Sequence, residues 1–183
     1  MKNSETRQKL RLVELKINGC TGVNQAVELE NQAKEMSKNK KYERATKKYH
    51  AALTMYKEVK EKYLEGAKNR KSYFSNSLNA VNKKIKHVEA AIENTTQQQH
   101  NEEAKALIKE AKKATKQNLY DFALEHLKSA KILTNQPDTL TKIENEESNV
   151  CSLYGKSVFE DGLELEKKGH SERAQSKFKK AKT

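Results

Sequence analysis

Residues 42–63 read YERATKKYHAALTMYKEVKEKY, and this stretch decides the fold. Tyr42, Tyr49, Tyr56 and Tyr63 recur every seven residues, and Ala45, Ala52 and Val59 follow three residues after the first three of them. Steps alternating between three and four place all seven side chains on one face of a helix. At about 1.5 Å per residue that helix is roughly 33 Å long. Methyl-sized alanines between bulky rings let a second helix come close. A tyrosine ladder also suits stacking on peptides or bases, but the reading preferred here is a packed seam with the hydroxyls at its wet edge.

Working outward, Gly66 is expected to interrupt this helix. Phe74, Leu78, Val81, Ile85, Val88 and Ile92 then give a heptad-like stripe over about 67–94, closed by the polar run Gln97-Gln98-Gln99-His100. On the other side, a helix over 4–18 has Ser4 as N-cap and Leu10, Val13 and Ile17 on one face. Asn18-Gly19 and Thr21-Gly22 are expected to end it. A second helix starts near Val23 or Asn24, carries Val27, Leu29, Ala33 and Met36, and turns at Ser37–Lys41. Further along, Leu107, Ala111 and Ala114 precede a turn at Gln117-Asn118, followed by Tyr120, Ala123, Leu127 and Ala130. Asn135-Gln136-Pro137 stops that helix, and Asp138 or Thr139 is positioned to cap a helix over about 139–153 with Leu140, Ile143, Val150 and Leu153. The last hairpin holds Val158, Gly162 and Leu165, a turn at Lys168-Gly169-His170, then Ala174, Phe178 and Ala181.

Superposed, the hairpins repeat. Ala33, Ala111 and Gly162 are followed twelve residues later by Ala45, Ala123 and Ala174, and seven further on by Ala52, Ala130 and Ala181. A large apolar residue (Tyr49, Leu127 or Phe178) stands four after each middle alanine, and Tyr42, Tyr120 or Ser171 three before it. Two antiparallel helices approach where small residues meet, and a large one fills the gap. This pattern resembles the tetratricopeptide (TPR) hairpin, with units near 26–59, 104–137 and 155–183, the last cut short. The middle alanines are unevenly spaced, so the units are not tandem and further helices lie between them. The expected fold is therefore all-α: antiparallel TPR-like hairpins with intervening helices. An N-terminal helix and linker occupy 1–22, a hairpin with a long third helix 23–97, and two more hairpins 101–183. Ala33, Tyr42, Ala45, Tyr49, Ala52 and Tyr56 also resemble the first two helices of the microtubule-interacting-and-transport (MIT) domain. That resemblance implies a groove beside the third helix that accepts helices from membrane-remodelling machinery.

Composition restricts the function classes. Of the 183 residues, 34% are hydrophobic and 34% charged, with one proline, six glycines and no tryptophan, so a β-sandwich or barrel lacks its turn and strand residues. Disorder is excluded by the helical spacing. No apolar run is long enough to span a bilayer, and Met1–Arg7 lacks the apolar region of a signal peptide. Cys20 and Cys151 are expected to be reduced, small and apolar, in a cytoplasmic setting. The five histidines are scattered without metal-ligand spacing, and neither a phosphate loop nor a nucleophile motif is found. The expectation is a non-enzyme with no catalytic, cofactor or metal residues.

The net charge of +12 is concentrated in residues 1–100, which hold 21 basic and 11 acidic side chains. Lys34, Lys38, Lys41 and Lys48 are the expected partner-binding residues, and the other small and large residues of the repeat form the packing seams. The expected function is a scaffold that binds an acidic peptide or helix of another protein, with self-association through the short last hairpin as a further option. The alternatives are an MIT-like adaptor and a binder of nucleic acid or anionic surfaces.

Overall fold

The computed structural model describes residues 2–181, and among these it is all-helical. The helices are α1 (Lys2–Lys38), α2 (Tyr42–Asn69), α3 (Lys71–Lys116), α4 (Tyr120–Leu133), α5 (Pro137–Lys167) and α6 (Ser171–Ala181). Successive helices are joined by connections so short that antiparallel hairpins result. The turns sit where the sequence places them. Lys40 and Asn118 take positive φ, and Gly169 does so at φ 80°, a conformation open to glycine without a side-chain clash. The chain divides into two compact units, residues 1–99 and 100–183, with α3 contributing to both.

In the first unit α1, α2 and the start of α3 surround one core. Ala26 and Ala33 from α1, Ala52, Tyr56 and Val59 from α2, and Phe74, Val81 and Val88 from α3 are buried in it. Ala45 is likewise buried. A leucine at Ala45 has no room and is expected to lower the unfolding free energy by about 1–3 kcal/mol in a urea titration. An unchanged midpoint would remove Ala45 from the seam.

Several expectations are corrected here. Residues 1–22 are not a separate helix and linker, because α1 runs unbroken through Gly19 and Gly22. Both glycines are contact points: a Cβ on Gly19 would overlap the Tyr63 ring, and one on Gly22 would lie 2.6 Å from Val59 Cγ2. Ser4 lies inside α1 rather than capping it. Leu10, Val13 and Ile17 share a face, but it points to solvent (56%, 46% and 58% exposed), whereas Leu12 and Leu15 face the core. Gly66 does not interrupt α2, because it sits under the Phe74 ring, and the helix ends at Asn69.

The run Gln97–His100 is no break either. Glutamine is a sound helix former, and polar partners hold this part of α3: the Ser37 hydroxyl donates to Gln98 Oε1 at 3.3 Å. Asn101, one residue beyond the run, is buried and accepts the Thr134 hydroxyl at 2.6 Å.

In the second unit, the end of α3 packs with α4 and the start of α5 around Ala104, Ala111, Ala123, Leu127, Ala130, Ile143 and Val150. The intervening helix expected over 139–153 is not separate, because α5 continues it into the last hairpin. Pro137 occupies the first turn of α5, and neither Asp138 nor Thr139 caps it; the N-cap position is Gln136. The last hairpin shows the small-to-large fit directly: a Cβ on Gly162 would lie 2.6 Å from Phe178 Cε1. Ala174 is buried there, and Phe178 and Ala181 are half-buried.

Candidate functional site

Three elements of the first unit build one groove. Its walls are α1 and α3, which run parallel: Lys16 Nζ reaches the Tyr73 carbonyl at 3.5 Å, Glu30 meets Lys84 and His87, and Ser37 meets Gln98. Tyr63 of α2 lies between them. The groove has a volume of about 660 Å³. Val23, Tyr63, Ala80 and Val81 give it an apolar stretch, with Cys20 at the margin, and Glu30, Lys34, Lys83, Lys84 and His87 make its other end polar.

The polar end is organised by one buried carboxylate. Glu30 follows Val23 and Ala26 on the inward face of α1 and is only 2% exposed. Lys34 Nζ donates to its Oε1 at 2.8 Å, Lys84 Nζ lies 3.6 Å from Oε2, and His87 Nε2 lies 3.3 Å from Oε1. The Tyr56 hydroxyl donates to Oε2 at 3.3 Å from below. Burial alone raises the Glu30 carboxyl pKa. The Lys34 hydrogen bond, with the charges of Lys84, Lys34 and His87, outweighs burial and holds it below the ordinary carboxylate value. The same anion and its own burial drive the Tyr56 phenol far above its usual value. Burial, with the Cys20 thiol 3.8 Å away, pushes the Tyr63 phenol up to about 12. Both phenols stay neutral at physiological pH.

The tyrosine ladder is therefore a packing device in which Tyr49, Tyr56 and Tyr63 are buried and Tyr42 is half-buried. The hydroxyls of Tyr56 and Tyr63 are not at a wet edge: one is bound to Glu30 and the other meets Cys20 at the groove wall.

Of the four expected partner-binding lysines, Lys34 alone lines the groove. Lys38 pairs with Glu35 at 2.8 Å on the surface, Lys41 is exposed beside the first turn, and Lys48 is half-buried on α2. The seam residues Ala33, Ala45, Tyr49, Ala52, Ala111, Ala123, Leu127, Ala130, Gly162 and Ala174 are buried, and Tyr120 is half-buried and stacks on Tyr154 at 5.4 Å. Sequence reasoning missed the grouping of Glu30, Lys83, Lys84 and His87. The available signal was the charge of Glu30 in the same helical register as Val23, Ala26 and Ala33. Both cysteines are free but exposed, so they are not small core residues.

Among the described residues no cluster of three or more His, Cys, Asp or Glu has the geometry of a metal site. No described helix is long and apolar enough to cross a membrane. Comparison with known protein families, curated proteins and solved structures finds no match to this chain. The resemblance to TPR and MIT hairpins rests on the sequence pattern alone.

Proposed function

We propose that the chain is a non-enzymatic interaction scaffold that binds a peptide or helix of another protein in the α1/α3 groove. The observation that carries this reading is the groove itself: an apolar stretch open to solvent beside a fixed group of cations, on a rigidly packed hairpin. Ligand sites are concave and mainly apolar, with a few polar groups that set orientation. An apolar groove between helices takes the apolar face of an amphipathic helix. The three-helix arrangement of residues 2–99 supports an MIT-like version of the same reading, with the groove beside the third helix as the docking site. Two free thiols support a reducing, cytoplasmic setting.

A photo-crosslinking residue at Ala80, inside the groove, is the test. It is expected to trap a discrete protein partner in extracts, while the same residue at Glu61, on the exposed surface of α2, does not. Equal trapping at both positions, or nucleic acid trapped at Ala80, would contradict the proposal.

A further inference from the structure

Resting on the groove reading above, we infer that the occupant is an amphipathic helix carrying a carboxylate side chain about two turns from its apolar anchor. The cations at the groove end are the groups that read this carboxylate. Val23 and Glu30 are seven residues apart on α1 and both line the groove, so its apolar and polar centres are about 10 Å apart at about 1.5 Å per residue. A bound helix that places an apolar side chain against Val23, Tyr63 and Val81 therefore presents its residue at i+7 or i−7 to the polar end.

At that end Lys34, Lys83 and Lys84 face a single carboxylate, Glu30. An ammonium group has three N–H donors, and Glu30 engages only part of those on Lys34 and Lys84. Glu30 thus anchors the two ammonium groups without cancelling the local positive charge. Lys34 and Lys84 remain 45% and 41% exposed, with donors facing the groove. A carboxylate from a partner completes their hydrogen bonding, and an amide or apolar group in its place leaves the cations unmatched. Lysine point charges on flexible stems also accept a carboxylate at varied angles. The contact is made by Lys34, Lys83 and Lys84, and not by Lys38, Lys41 or Lys48, which do not line the groove.

The test is selection of helix-forming peptides, about 18 residues or ~27 Å long, from a randomised display library on the full chain. The selected peptides are then titrated as synthetic probes. Peptides whose binding is lost on Ala80→Trp are the groove binders. These are expected to share an Asp or Glu seven residues from an apolar anchor. They should weaken roughly tenfold or more on replacement of that acid by its amide, on Lys84→Met, and on Lys83→Glu. Lys83 makes no contact with Glu30, so that variant separates recognition from folding. Lys38→Met and Lys41→Met should leave affinity unchanged. Groove-dependent peptides indifferent to the acid and to both lysine variants would overturn this inference and leave the groove reading standing. No peptide sensitive to Ala80→Trp would overturn both. A single-stranded RNA that displaces the peptides through the same lysines would replace carboxylate by phosphate recognition and also overturn it.

Discussion

Replacing Gly19 with leucine is expected to destabilise the unit formed by residues 1–99 by about 3 kcal/mol. The expectation is counterintuitive from sequence, because a glycine within a solvent-facing helix gains up to ~1 kcal/mol when a side chain is added. Here a Cβ would lie 2.5 Å from Tyr63 Cζ and 2.7 Å from its hydroxyl. The ring has little room to yield: it is buried, 5.7 Å from the Phe74 ring between centroids. Gly19→Ala should cost about 1 kcal/mol, since one methyl displaces the ring less and recovers helix propensity. A urea titration followed at the tyrosine absorbance reads both. If Gly19→Ala were stabilising, α1 would not approach α2 at this point and the expected break after Asn18 would return as the better account.

The second large effect concerns Glu30. Glu30→Leu removes the acceptor of the buried Tyr56 hydroxyl and the anchor of two lysines. The lysines reach water, so no cation is stranded. The orphaned phenol and the lost charged hydrogen bond together cost about 2–3 kcal/mol. Glu30→Gln keeps an acceptor for Tyr56 and should cost less. The pH dependence has a definite sign. The folded-state pKa of Glu30 lies below its usual value, so its contribution is present above the ordinary carboxylate range and is lost as pH falls through the folded value. Wild-type stability should therefore fall on acidification below about pH 4.5, and Glu30→Gln should flatten part of that limb. An identical acid limb in both proteins would mean that the Lys34 and Lys84 contacts contribute nothing in solution.

Much of the fold was legible because packing writes itself at fixed intervals. The steps linking Tyr42, Ala45, Tyr49 and Ala52 located the α2 seam, and the same small-to-large spacing found α4 against its neighbours and Gly162 under Phe178. Turns at Lys40, Asn118 and Gly169 announced themselves by residues suited to positive φ or to exposure. The errors share one cause. Gly19, Gly22 and Gly66 are locally indistinguishable from helix breakers, and only the rings and methyls placed opposite them by α2 and α3 reveal close approach. Gln97–Gln99 likewise looks like a polar linker until Ser37 and Thr134 are in position.

The groove was less legible still. Lys34 and Lys84 are fifty positions apart, and nothing in either helix alone says that they share a carboxylate. The earlier choice of Lys38, Lys41 and Lys48 followed charge density along the chain, which measures sequence proximity, not convergence in space.

The native cysteines provide the most direct measurement of the central claim. Cys20 is exposed at the groove margin, and Cys151 is exposed on α5 in the other unit. Affinity for a library-selected helical peptide is measured after a bulky maleimide is attached to one cysteine while the other is serine. Alkylation of Cys20 in the Cys151→Ser chain is predicted to abolish binding, and alkylation of Cys151 in the Cys20→Ser chain to leave it intact. Full binding with Cys20 blocked, and loss with Cys151 blocked, would place the interaction surface outside the α1/α3 groove and contradict the account.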